Sequence, residues 1–318
     1  TAPTVTLSGT TTIAENAAGV ATLTATLSVV TTAATTVTLT YSGTASAGDY
    51  VASTVTITIP AGATSGTVNI DPTDDVIFEG SETVIADITS VTGGNGASES
   101  GTQTATVTIT DNETAPTVTL SGTTTIAENA AGVATLTATL SVATTAATTV
   151  TIAYTGTASA GDYVASSVTI TIPAGATSGT VTIDPTDDVI FEGSETVIAD
   201  ITSVTGGNGA SESGTQTATV TITDNETAPT VTLSGTTTIA ENAAGVATLT
   251  ATLSVATTAA TTITIAYTGT ASAGDYVASS VTITIPAGAT SGTVTIDPTD
   301  DVIFEGSETV IADITSVT

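Results

Sequence analysis

Through the first third of the chain, apolar and polar residues alternate with a period of two. In ATLTATLSV, Leu23, Ala25, Leu27 and Val29 fall on one side, and Thr22, Thr24, Thr26 and Ser28 on the other. In TVTLTY, Val37, Leu39 and Tyr41 fall together, and the alternation recurs in Val55, Ile57 and Ile59, in Val68 and Ile70, and in Ala105, Val107 and Ile109. Successive side chains of a strand point to opposite faces, so each run predicts a half-buried antiparallel strand. PTVTLS near the start and the stretch from Glu82 to Ser90 complete a set of about seven strands. The turn signals ENAAG, SGTASAGDY, PAGATSG, DPTDD and TGGNG separate them. Seven short strands in about 100 residues predict an all-β domain, a Greek-key β-sandwich of immunoglobulin-like architecture.

This pattern occurs three times. The string TAPTVTLSGTTTIAENAAGVATLTATLSV starts at Thr1, Thr114 and Thr227, a period of 113 residues. The first and second copies differ by six mild changes, among them Val30 against Ala143 and Asn69 against Thr182; the second and third differ only at Val150 and Ile263. The period exceeds the usual solenoid repeat of about 20 to 50 residues and fits one independent domain. The predicted domains are 1–113, 114–226 and 227–318, and the third stops before the counterpart of the segment Gly93 to Glu113 that supplies the last strand. At about 3.3 Å per strand residue, three such units in line would reach on the order of 100 Å.

Charge then narrows the chemistry. The 318 residues include 30 Asp and Glu and no Lys, Arg or His, for a net charge of −30. Side-chain salt bridges and a phosphate-binding basic patch are therefore excluded, and nucleic acid is not an expected partner. With 40% hydrophobic and 9% charged residues and a mean hydropathy of +0.42, the composition is that of a folded chain and not of an acidic disordered one. The absence of Cys removes disulfides and thiolate metal sites. Thr interrupts every apolar run before it reaches membrane-spanning length, so no direct membrane insertion is expected of this segment. The usual nucleophile–base pairs and phosphate clamps have no residues to form them. Two carboxylates could serve a glycosidase, but aromatics make up 3% and offer no sugar platform; the expectation is that the chain is not an enzyme.

The acids are concentrated in turns. DPTDDVIFEGSE places Asp71, Asp74, Asp75, Glu79 and Glu82 within one short segment, and Glu15, Asp49 and Asp111 lie in turns or at strand ends. Loops at one end of a sandwich can bring such residues together. Oxygen ligands without imidazole or thiolate favour Ca²⁺, which accepts six to eight oxygens, over Mg²⁺, which retains more water. The competing reading is that these loops are acidic only to remain solvated.

The AENAAG turn, GTASAGDYVASTVTITIPAGATSGTVNI, DDVIFEGSETV and TVTITDNE, in that order and spacing, resemble the Calx-beta family, a β-sandwich module of sodium–calcium exchangers, integrin β4 and large bacterial surface proteins. The resemblance covers essentially the whole repeat. It implies Ca²⁺ as the cofactor, with ligands at Glu15, Asp49, Asp74, Asp75, Glu79, Glu82 and Asp111 and at the backbone carbonyl of Ile77. In the second repeat it implies Glu128, Asp162, Asp187, Asp188, Ile190, Glu192, Glu195 and Asp224. In the third it implies Glu241, Asp275, Asp300, Asp301, Ile303, Glu305 and Glu308, without a terminal aspartate, so that site is expected to be incomplete. The sequence has DDV where other members can have three acids in a row, and Asp111, Asn112 and Glu113 where they can have a denser terminal cluster.

The connection between repeats is short. DNETAP is almost the whole linker, and its proline restricts it. The expected role is a calcium-stiffened stalk or filament segment of an extracellular adhesin on a bacterial cell surface, of the kind used in gliding motility. Its expected partners are the adjacent repeats, with lateral self-association or cell-surface glycans beyond them. The alternative is an adhesive module that binds glycan or ice through its Thr-rich strand faces.

Overall fold

A computed structural model describes residues 1–9, 12–122, 125–235 and 238–318. Its elements are all strands. In the first repeat they are β1 (Thr4–Gly9), β2 (Thr12–Ala14), β3 (Ala21–Leu27), β4 (Thr35–Gly43), β5 (Tyr50–Ala52), β6 (Thr56–Ile59), β7 (Ser65–Pro72), β8 (Ile77–Phe78), β9 (Glu82–Gly93), β10 (Ser98–Glu99) and β11 (Thr104–Thr110). The seven predicted runs correspond to β1, β3, β4, β6, β7, β9 and β11. The four additional strands have two or three residues each, too few to show an alternation.

Two five-stranded sheets face each other, in the orders β10-β1-β3-β7-β5 and β2-β11-β9-β4-β6. The long strands thus form a three-strand and a four-strand sheet, with β3→β4, β6→β7 and β7→β9 crossing between them. This is the immunoglobulin-like Greek key, and the crossings bring loops from both sheets to the same end. The core lies between the sheets, where Leu23, Ile57, Ile59 and Ile70 are fully buried together with Val5, Val37 and Val107. Each such side chain contributes about 1.5–3 kcal/mol through burial. Alternation fails at two ends of the predicted runs: Val29 and Val55 are exposed, because each lies outside its strand, in the turn after β3 and just before β6.

β4 and β9 form the longest pairing, with a register shift between Thr38 and Leu39. β4 ends at Gly43, whose φ of 126° and close approach to Thr83 admit no side chain: a Cβ there would lie 2.1 Å from the Thr83 carbonyl oxygen. This contact holds the Asp49-bearing connection against the start of β9.

The second repeat reproduces the two sheets. Among the described residues the third has a four-stranded and a three-stranded sheet, in which the strand Val310–Val317, the counterpart of β9, pairs with Thr261–Gly269. Among the described residues, the third repeat's main core cluster holds seven buried residues against eighteen in the first repeat and nineteen in the second.

Candidate metal centre

The local structure of each acidic loop follows from a few hydrogen bonds. β2 pairs in parallel with β11, Ala14 opposite Thr110, and the Glu15 N–H donates to the Thr110 carbonyl at 2.9 Å. This places Glu15 beside Asp111 and buries it to 5% exposure. Its Oε1 accepts the Asp75 N–H at 2.8 Å, and Asp75 Oδ1 in turn accepts the Ile77 N–H at 2.7 Å. Asp111 is the hub of the opposite side: Oδ2 accepts the N–H groups of Glu79 and Gly80, both at 2.6 Å, and Oδ1 accepts that of Glu113 at 2.8 Å. In the AGDY turn, Asp49 accepts the Ser46 N–H and the Ser46 hydroxyl. The Thr73 N–H donates to the Asp49 carbonyl at 2.9 Å and ties this turn to the end of β7.

These loops assemble two carboxylate triads. Glu15, Asp111 and Glu113 form one; Asp49, Glu79 and Glu82 form the other, and within each triad one oxygen from every residue lies within 4.8 Å of the others. The second repeat repeats both, as Glu128–Asp224–Glu226 and Asp162–Glu192–Glu195. In the third, Asp275, Glu305 and Glu308 form a triad, while Glu241 is exposed and accepts the Asp301 N–H at 3.1 Å. Of the residues named from the sequence, Glu15 and Asp111 thus fall in one triad and Asp49, Glu79 and Glu82 in the other. Asp74 and Asp75 are exposed on the rim, as are Asp187, Asp188, Asp300 and Asp301; Asp75 acts on the loop backbone, and Asp188 and Asp301 repeat its bond, to the N–H groups of Ile190 and Ile303. Ile77 lies in β8, outside both triads. Glu113 and Glu226 were not among the predicted ligands. Their signal is the spacing in Asp111-Asn112-Glu113: a turn in which the aspartate caps the N–H two residues on swings the glutamate back beside it.

Like charges held this close resist ionisation. Burial, then the Asp49 hydrogen bond and charge, push the Glu82 carboxyl up to about 8. Burial and then the charges of Asp49 and Asp75 push Glu79 up to about 7, and Glu195 is likewise raised to about 7 by burial and Asp162. Burial raises Glu15 as well. Asp111 goes the other way: burial opposes its charge, but the donors from Glu79, Gly80 and Glu113 prevail and lower it.

The donor set suits a hard cation. The site offers only oxygen ligands, no basic side chain exists to neutralise them, and the buried oxygens Glu113 Oε2 and Glu226 Oε2 have no hydrogen-bond partner. A cation would give those oxygens a partner and offset the repulsion that raises Glu79 and Glu82.

The Calx-beta domain model matches residues 1–113, 111–226 and 224–318, and the chain belongs to the Calx-beta family. It is a tandem of three such domains, a class of calcium-binding modules. Among solved structures, it is similar to the calcium-binding domain CBD12 of CALX1.1, with 15% identity, covering 67% of this chain and 98% of that one at a TM-score of 0.31. It is also similar to the apo form of the Calx CBD1 domain, with 23% identity, covering 35% of this chain and 99% of that one at a TM-score of 0.30. No curated protein sequence matches it.

Proposed function

We propose that this chain is a calcium-stiffened segment of a stalk or filament in an extracellular bacterial adhesin, without catalytic activity. The observation that carries the reading is the place of the triads: Asp111 and Glu113 belong both to a carboxylate cluster and to the linker that enters the next repeat. Calcium bound by Glu15, Asp111 and Glu113 would hold the first residues of that linker against the domain they leave. Asp49, Glu79 and Glu82 would take a second ion, with Asp74 and Asp75 and the Ile77 carbonyl available to complete the shell. Free calcium is scarce in cytosol and abundant outside cells, so sites of modest affinity would remain filled in an extracellular protein. Near-identical repeats add reach and stiffness without adding a distinct binding surface, which is the requirement of a stalk.

The test is a calcium titration of the three-repeat chain, followed by thermal melting and small-angle scattering. The comparison variant carries Asp49→Asn and Glu82→Gln with the same changes at Asp162, Glu195, Asp275 and Glu308. Calcium is expected to raise the melting temperature and narrow the conformational range of the wild-type chain, with a weaker response in the variant. Indifference of both observables to millimolar calcium in the wild type refutes the proposal.

A further inference from the structure

Consecutive repeats touch through their backbones. β8 of the first repeat pairs in parallel with Ala143–Thr144 of the second, Ile77 opposite Ala143 and Phe78 opposite Thr144. The second and third repeats repeat this pairing, Ile190 opposite Ala256 and Phe191 opposite Thr257. One side chain reinforces the first joint. Asn208 Nδ2 donates to the carbonyl oxygens of Phe78 and Glu79, both at 3.1 Å, and to Thr145 Oγ1 at 2.8 Å.

The geometry of those two carbonyls is informative. The peptide group that carries the Phe78 carbonyl also carries the Glu79 N–H, and the one that carries the Glu79 carbonyl also carries the Gly80 N–H. Both N–H groups are held by Asp111 of the same repeat. Two successive peptides are therefore bonded on one side by the repeat they belong to and on the other by the repeat that follows. Bonds at both ends of a peptide polarise each other favourably.

Internal comparison separates the joint from the loop itself. Asn95, the counterpart of Asn208, has the same left-handed backbone, φ 56° against 53°. Its Nδ2 makes the same bond within its own repeat, to Thr32 Oγ1 where Asn208 bonds Thr145 Oγ1, and its Oδ1 accepts the N–H groups of Thr32 and Ala33; the bonds to the Phe78 and Glu79 carbonyls are what Asn208 adds. On the donor side, Ile77 and Phe78 are half-buried.

We propose that Ile77–Glu79 is a docking element recognised by the following repeat, with the Ala143–Thr144 edge as its receptor and Asn208 as the residue that fixes the joint. The partner is a neighbouring copy of the same domain. The contact itself consists of backbone bonds and one amide, although Glu79 and Asp111 also belong to the carboxylate triads, so the joint and the proposed calcium site share this segment.

The test measures the distance distribution between spin labels at Thr26→Cys and Thr139→Cys, exposed positions on equivalent strands of the first two repeats in a chain with no native cysteine. The three-repeat chain should give one narrow peak. Asn208→Asp, which sets a carboxylate against the two carbonyls, should abolish that peak, as should Asn208→Gly, which retains the left-handed backbone and removes the amide. Asn95→Asp, at the equivalent position of the first repeat and away from the labelled joint, should keep it. Melting curves establish that each variant is folded. Retention of the wild-type distribution by both Asn208 variants overturns the proposal. Each measurement is made in chelator and in calcium. Loss of the peak in both conditions with no calcium response upholds the joint and refutes the calcium reading; an unaltered peak that calcium sharpens in every variant does the reverse.

Discussion

Calcium binding to the carboxylate triads should expel protons at neutral pH. The perturbation is the arrival of a cation at carboxyls that the metal-free fold keeps protonated: Glu82 raised to about 8, Glu79 and Glu195 to about 7. At pH 7, Glu82 is then about nine-tenths protonated and the other two about half protonated, and metal ligation requires the ionised forms. These three groups together release nearly two protons per chain at pH 7. At pH 9 the release from them falls to about a tenth of a proton, because all three are already ionised. The assay is calorimetric titration with calcium in buffers of different ionisation enthalpy, where the slope of observed heat against that enthalpy counts the protons. Glu82→Gln should lower the pH 7 slope by about nine-tenths of a proton. A slope of zero at pH 7 with calcium still binding, or a slope that grows toward pH 9, would refute the reasoning.

The same groups set the stability of the metal-free protein. Their folded values exceed the ordinary 4.5, so the fold favours their neutral forms, and that contribution is complete below pH 4.5 and lost as pH rises through about 7 to 8. The melting temperature in chelator should fall between pH 5 and pH 8, and saturating calcium should flatten the decline; a rise over that range contradicts the assignment. Asp111→Asn replaces an oxygen that accepts the Glu79 and Gly80 N–H groups, and should destabilise the first repeat by about 1–3 kcal/mol even in chelator, as read by denaturant unfolding. Leu23→Ala empties a fully buried position and should cost about 2–5 kcal/mol, seen by calorimetry as an earlier transition of one repeat with the second retained. Gly43→Ala must displace the Thr83 carbonyl, and should both destabilise the first repeat and weaken its calcium response, since that contact positions the Asp49 connection.

Much of this protein is determined locally. Strict alternation of Val, Ile and Leu with Thr leaves a strand one way to bury its apolar face, so the seven long strands and their inward sides follow from the sequence, as does the repeat that divides the chain into three domains. The acid-rich turns, in a chain with no His, Cys or basic residue, already restrict any side-chain ligand set to oxygens. What the sequence left open required the sandwich itself. The crossings between sheets decide that Glu15, Asp111 and Glu113 form one triad and Asp49, Glu79 and Glu82 another, residues up to 98 positions apart in the chain. Alternation is silent about the two-residue strand β8, which exists because a neighbouring repeat supplies its partner. The bonds of Asn95 and Asn208 show the same: two identical loops hold their asparagines in one backbone conformation, each amide bonds a threonine of its own repeat, and the second also reaches the Phe78 and Glu79 carbonyls of the repeat beside it.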